Sequence, residues 1–134
     1  MKSILITGAC GFIGFHMTLK LLKKNITVIG IDNIDNYYDI KLKNSRLKIL
    51  KKFKNFRFFK QDILNKKNLE KIFKKNKFKH ICHLAAQAGV RYSISNPQKY
   101  IDTNISGFQN ILDLSKKFKI KHLLYASSSS VYGI

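Results

Sequence analysis

Ser3-Ile4-Leu5-Ile6-Thr7-Gly8-Ala9-Cys10-Gly11-Phe12-Ile13-Gly14 opens the chain with a short apolar run, three glycines spaced three apart, and the start of a second apolar pattern. The run from Ser3 to Thr7 carries β-branched residues and predicts a buried strand. Phe12, Phe15, Leu19 and Leu22 recur at steps of three and four, the spacing of a helix face. Lys23-Lys24-Asn25 closes that helix with cations at its negative end. Between strand and helix, a tight turn needs residues that tolerate positive φ, and glycine does so without steric cost. A missing side chain lets a ligand approach the backbone, and the free N–H groups of the helix N-terminus would face an anion there. A bare turn is the plainer alternative. The strand before and the helix after make a pyrophosphate site the stronger reading.

The same alternation continues outward. Ile26 to Asp32 predicts a second strand, and Asn33 to Tyr38 a polar turn. Leu42, Ile49, Leu50 and Phe53 suggest a basic amphipathic helix. Phe56 to Lys60 predicts strand three, and Leu69, Ile72 and Phe73 a short helix. Ile81 to Ala86 predicts strand four. Pro97 sits where a helix can begin, with Ile101, Ile105, Phe108, Ile111 and Leu112 expected to face inward. His122 to Ser127 predicts strand five. Strand and helix alternating in this way predict an α/β fold, a doubly wound parallel sheet of Rossmann type in the order 3-2-1-4-5. The ligand crevice is expected between strands 1 and 4. Ending after strand 5 would leave a sheet edge uncovered.

Asp32 ends strand two, where a carboxylate can accept hydrogen bonds from both ribose hydroxyls of NAD and would repel the extra phosphate of NADP. A turn cap is the alternative. Asp62 ends strand three in the same way and, with Ile63, could border the adenine. Gly8, Gly11, Phe12, Ile13, Gly14, Asp32, Asn33, Asp62 and Ile63 therefore form the expected cofactor set, and NAD the expected cofactor.

The totals are compatible with this. A chain of 134 residues suits one domain, and 45% hydrophobic residues exclude a disordered one. No apolar run approaches the ~20 residues that cross a bilayer, and no signal peptide is evident. Cys10 and Cys82 make no C-x-x-C pair, so no zinc or redox site is expected, and a reducing, cytoplasmic setting is the default. His80 and His83 are three apart on a strand and point to opposite faces, so they cannot share a metal. Cys10 lies at a helix N-terminus, where a thiol pKa falls, although a small residue is all the turn requires. The net charge of +19, from 26 Lys and Arg against 7 Asp and Glu, comes without a nucleic-acid motif. It is read as a solvated surface, and nucleic acid is disfavoured as a partner. Such a field would also draw in an anionic substrate such as a nucleotide sugar.

Several segments resemble the extended short-chain dehydrogenase/reductase family: the G-x-x-G-x-x-G loop, His83-Leu84-Ala85-Ala86, Asn104-Ile105-Ser106-Gly107, and Ala126-Ser127-Ser128-Ser129-Ser130-Val131-Tyr132-Gly133. Within that family the chain is most similar to the UDP-glucuronate 4-epimerases, through Asp32-Asn33, Tyr37-Tyr38-Asp39, the stretch from Ala86 to Ser93, and the four serines. The resemblance spans residues 3 to 133. It implies that Leu84, Ala85 and Ala86 form a cofactor wall and that Asn104 is a structural asparagine beside it. It implies a hydride cycle in which NAD oxidises C4 of the sugar, the 4-keto sugar rotates, and hydride returns to the other face. Ser128 then fits the hydroxyl that bonds O4. Ser127 and Ser129 assist or bind the substrate carboxylate, Gln87 lies with the substrate, and Arg91 can pair both carboxylate oxygens unless it is one more surface cation. Related dehydratases carry an Asp-Glu pair where this chain has Ser129 and Ser130, so epimerisation is preferred to dehydration.

The family's tyrosine base, followed four residues later by a lysine, lies beyond strand 5 and is not among these residues. Tyr37 and Lys41 have that spacing but sit after strand two, at the adenine-ribose end. The resemblance therefore implies the N-terminal portion of an epimerase, from a truncated or split gene, without the catalytic Tyr-Lys segment or the substrate domain. Such a chain is expected to bind NAD and turn over poorly alone. Epimerisation by the purified chain would refute that. The resemblance implies a homodimer for the full-length form. A NAD-binding remnant, or a docking module, is the competing reading.

Overall fold

Leu5, Ile6 and Thr7 of β1 (Ser3–Thr7) and Val28 through Asp32 of β2 (Thr27–Asp32) are buried on both sides, which is why these strands read as unbroken apolar runs. The computed structural model describes residues 3–133, with Ser129 and Ser130 described by their backbone alone. β3 is Phe56–Lys60, β4 is His80–His83 and β5 is His122–Tyr125. The five strands are parallel, in the order β3-β2-β1-β4-β5. Ile6 stands beside Gly30 on one side and Cys82 on the other. The order reverses between β1 and β4, so a crevice opens at the carboxyl ends of those strands.

Side chains alternate across the sheet, and each face has its own core. Leu5, Ile29, Ile31 and Ile81 pack with Leu69, Ile72 and Phe73 of α3 (Lys66–Asn76) and Ile111 and Leu114 of α6 (Phe108–Lys117). Ile6, Val28 and Cys82 pack with Phe15 and Leu22 of α1 (Phe12–Lys23) and Leu50 of α2 (Ile40–Leu50). Leu5 and Ile6 are both fully buried, so truncating either to alanine would cost about 2–5 kcal/mol.

Three expected faces are corrected. Phe12 begins α1 but is 69% exposed; it borders the crevice instead of the core. The buried face of α2 is Lys43, Leu47 and Leu50, while Leu42 and Ile49 are exposed. Lys43 keeps its stem inside and sends Nζ to the Asp35 carbonyl at 2.9 Å. Ile101, Ile105 and Leu112 are exposed as well. Two short helices, α4 (Val90–Ser95) and α5 (Pro97–Tyr100), lead into a π-helical stretch, Ile101–Gly107, before α6. Its bonds run to i+5, so the period of 3.6 does not hold there. Asn104 and Gly107 face the structure where isoleucines were expected.

Strand four is shorter than the sequence suggests. It stops at His83: the Leu84 N–H is shared between the Thr7 carbonyl at 3.2 Å and the Thr7 hydroxyl at 3.1 Å, and the Ala85 N–H goes to that hydroxyl at 3.1 Å. β5 likewise stops at Tyr125 rather than Ser127. Leu124 and Tyr125 are about half exposed, as expected of an edge strand. Among the described residues, no helix is long and apolar enough to cross a membrane.

Candidate functional site

Gly8 has a φ of +70, and a Cβ there would meet the backbone of Leu84 and Ala85 at 2.9 Å. A Cβ on Gly14 would overlap the Gly8 carbonyl oxygen. Only glycine lets β1, the turn and α1 come this close to the loop after β4. Gly11 closes the turn by donating its N–H to the Gly8 carbonyl at 3.0 Å.

The N-terminus of α1 is left open. Gly11 at its cap offers no side chain, and no acidic residue lies in its first turn. By contrast, Asp39 caps α2 by accepting from Lys41 N–H, and Asn65 caps α3 by accepting from Asn68 N–H. Of these three helices, the one without a side-chain cap is the one that faces the crevice, which is the geometry of an anion site.

That crevice is a cavity of about 680 Å³, a size suited to a dinucleotide-class ligand. Of the residues expected at a cofactor, Gly8, Gly11, Phe12, Ile13, Gly14, Asp32, Asn33, Asp62, Ile63, Leu84, Ala85 and Ala86 line it, and so does Gln87. Phe12 and Ile13 are exposed because the cavity is.

Of the two roles weighed for Asp32, the structure shows the turn cap. It is buried, and its Oδ2 accepts the Cys10 N–H at 2.9 Å while Oδ1 accepts the Ile34 N–H at 2.8 Å. It caps the turn, and its carboxylate is held fixed at the cavity edge. Asp62 accepts from Asn33 Nδ2 at 3.1 Å and from the Leu64 N–H at 2.9 Å. Together they define one polar rim across the ends of β2 and β3.

Asn104 does not line the cavity. Its amide pairs with the backbone of Gln87, accepting the N–H at 2.8 Å and donating to the carbonyl at 3.0 Å. It acts on the wall residue and holds Gln87 against the cavity. The π-helical stretch is what aims it there.

Ala126, just past β5, lines the cavity, whereas Ser127, Ser128 and Arg91 do not. Ser127 and Ser128 are exposed, and the Ser128 carbonyl accepts the Val131 N–H at 3.3 Å in a short 3₁₀ turn, Ser129–Tyr132. The Ser129 side chain lies outside the described residues. Arg91 is exposed on α4. The structure thus brings the residues of the expected cofactor set, with Gln87, together around one cavity, and leaves Ser127, Ser128 and Arg91 outside it.

The thiol expectation is corrected. Cys10 is fully buried, and burial, then the Asp32 carboxylate, push its pKa up to about 12. The helix end is outweighed by desolvation and a like charge. Cys82 is also raised by burial, and both cysteines are free. Among the described residues no His, Cys, Asp or Glu cluster could hold a metal. His80 is exposed and His83 buried, on opposite faces as expected.

The sequence reading missed Asp35, Tyr37, Lys43, Arg46 and Lys99, all of which line the cavity. Arg46 donates to the Cys10 carbonyl at 3.3 Å and lies 5.9 Å from the rings of Phe12 and Phe15. Their signal was present in part. Lys43, Arg46, Leu47 and Leu50 share one face of α2 at helical spacing, but a lysine and an arginine in so basic a segment read as surface.

The family model described as GDP-mannose 4,6 dehydratase matches residues 5–134. Protein CapI of Staphylococcus aureus is 54% identical over 130 residues, covering 97% of this chain and 39% of that protein. The UDP-glucuronate 4-epimerase of Thermodesulfobacterium geofontis is 47% identical over 133 residues, covering 99% of this chain and 41% of that one. Among solved structures, the Bacillus cereus UDP-glucuronic acid 4-epimerase in complex with UDP-glucuronic acid and NAD superposes with a TM-score of 0.89 at 38% identity, covering 98% of this chain and 41% of that one. The chain thus spans about two fifths of the length of these relatives.

Proposed function

We propose a function on the premise that this chain belongs to the GDP-mannose 4,6-dehydratase family of NAD-dependent epimerases and dehydratases: it is the NAD-binding portion of a UDP-sugar 4-epimerase whose substrate is UDP-glucuronate. The observation that carries the reading is the uncapped N-terminus of α1, reached through the glycine cradle and facing the fixed carboxylate of Asp32. The residues fit a dinucleotide. The N–H groups at Phe12, Ile13 and Gly14 would take the pyrophosphate, and Asp32 and Asn33 the adenosine ribose. Asp62 and Ile63 would border the adenine, and Leu84, Ala85 and Ala86, held between Thr7 and the Gln87 that Asn104 fixes, would form the wall on the other side.

The chemistry supplied by bound NAD is a hydride taken from C4 of the sugar and returned to its opposite face. The chain's own part is to place the sugar. Ser128 would donate a hydrogen bond at O4, Arg91 would pair with the uronate, and Ser127, Ser129 and Gln87 would complete the polar contacts. Serines at 129 and 130, where related dehydratases carry an acid–base pair, favour epimerisation over loss of water. In this reading the full-length form acts as a homodimer in the cytoplasm, a setting that two free thiols fit.

The test is calorimetric titration of the purified chain with NAD and NADP, then with UDP-glucuronate and UDP-glucose at saturating NAD. NAD is expected to bind more tightly than NADP, and UDP-glucuronate more tightly than UDP-glucose, with the latter preference lost in Arg91→Ala. A chain that binds neither dinucleotide overturns the cofactor assignment. Equal affinity for the two UDP sugars overturns the substrate assignment.

A further inference from the structure

β2 and β4 flank β1 in the sheet, so the loops that leave them form opposite rims of the groove that starts at the phosphate loop. Loop 33–39 after β2 is stiffened from within. Asn33 accepts the Asp35 N–H at 3.0 Å, and Asp35 Oδ1 accepts the Tyr37 N–H at 2.7 Å. The second Asp35 oxygen, Oδ2, reaches the other rim and meets Lys99 Nζ of α5 at 3.0 Å. Both residues line the cavity, and their side chains are only 25% and 34% exposed.

Packing reinforces the contact. The rings of Tyr37 and Tyr92 are 4.8 Å apart between centroids, and Lys99 Nζ lies 5.7 Å from the Tyr92 ring. Gly89 has a φ of +101, and a Cβ there would overlap the Tyr37 hydroxyl, so the second rim is cut back where Tyr37 enters it. The Tyr100 hydroxyl donates to the carbonyl of Ala88 at 2.6 Å and also touches that of Gly89, which fixes this backbone. Two other ion pairs among the described residues, Lys66–Asp113 and Lys117–Glu70, join α3 to α6 on the surface. The Asp35–Lys99 pair is the one that spans the groove.

We propose that Asp35 and Lys99, with Tyr37 and Tyr92 packed beside them, are positioning residues that clasp the two rims over the bound dinucleotide and set the rate at which it leaves. This rests on the NAD-binding reading above. A reaction that returns its cofactor in the starting oxidation state requires no exchange between turnovers, so a closed rim does not obstruct it. The ion pair stands outside the sugar-binding set, and its loss would act on release more than on encounter.

The experiment measures release of radiolabelled NAD from the purified full chain, chased with excess unlabelled NAD, at low and high salt. Asp35→Asn and Lys99→Met are each expected to speed release about tenfold, while Lys99→Arg stays near the wild-type rate. Raising NaCl to about 1 M is expected to speed release from wild type more than from Lys99→Met, because salt screens the anionic dinucleotide in both but a charge pair across the groove only in wild type. Release rates within about twofold of wild type in both variants, or the same salt response in all chains, overturn the clasp while leaving NAD binding intact. A wild-type chain that binds no NAD overturns the cofactor reading and the clasp with it. Should Asp35→Asn fail to fold, Lys99→Arg and the salt response of the wild type against that of Lys99→Met still decide.

Discussion

Thr7 Oγ1 lies 2.8 Å from Nδ1 of His83, across the pair of strands that frames the crevice. The same hydroxyl oxygen accepts the N–H groups of Leu84 and Ala85, which occupies both of its lone pairs. Its single proton must therefore go to His83. Nδ1 is the acceptor, and the ring carries its proton on Nε2. The ring is stacked on Phe108 at 5.0 Å and 15°. One threonine thus fixes a histidine tautomer and bends the loop that forms one wall of the cavity.

Burial pushes the His83 pKa down to about 4, against about 6.5 in an unfolded chain. Between those values the unfolded state binds a proton that the folded state does not. Stability from this group is full above about pH 6.5 and is lost as pH falls toward 4, by up to about 3 kcal/mol. Urea midpoints measured from pH 7.5 down to 4 should fall more steeply for wild type than for His83→Gln. Parallel curves would show that His83 takes up its proton in the fold.

Thr7→Val keeps the shape of the side chain but leaves the Ala85 N–H and His83 Nδ1 without their partner. A loss of about 2–4 kcal/mol is expected, since each orphaned buried group costs about 1–3 kcal/mol. Thr7→Ser retains the hydroxyl and should lose less than half as much. Chemical denaturation of the two variants separates the hydrogen bonds from the packing.

Gly14→Ala places a methyl group on the Gly8 carbonyl oxygen. The helix must then move away from the turn, which costs about 1–3 kcal/mol and displaces the open N–H groups. NAD affinity is expected to drop at least about tenfold, measured by titration. Alanine at Gly11, where the nearest approach is 3.2 Å, should be milder, and an equal loss at both positions would contradict the cradle.

With its pKa raised to about 12, the Cys10 thiol is almost entirely protonated at pH 8. Alkylation by iodoacetamide should be at least about a hundredfold slower in the folded chain than in urea. Asp32→Ala removes a like charge and opens the site, so it should speed labelling of Cys10 even where the fold persists. Rapid native labelling of wild type would show that the thiolate is accessible.

Lys77 ends α3 with a φ of 47 in the left-handed region and is exposed. Glycine takes this helix-end conformation without a Cβ penalty. Lys77→Gly is expected to raise stability by about 1 kcal/mol, seen as a higher thermal midpoint. A lower midpoint would mean that the lysine makes a contact that offsets its backbone strain.

The part of the cavity lining around the glycine loop was legible because it is local. Gly8, Gly11 and Gly14 are forced by a turn of a few residues, and Asp32 and Asp62 sit where strands end. The clasp was not legible, because Asp35 and Lys99 are 64 residues apart and each alone reads as a surface charge. Of the Tyr37–Lys41 spacing, Tyr37 packs against Gly89 and Tyr92, while Lys41 is exposed at the start of α2.

By itself the sequence determined the alternation of strands and helices, the strand order 3-2-1-4-5, and the phosphate loop. These follow from hydrophobic period, chain connectivity and backbone freedom, which act over short stretches. Tertiary structure alone decided which face of α2 is buried, and that β4 stops at His83. It also decided that the π-helical turn aims Asn104 at Gln87, and that Cys10 is buried beside a carboxylate. Each of these depends on hydrogen bonds or desolvation supplied by residues distant in the chain, and no local pattern records them.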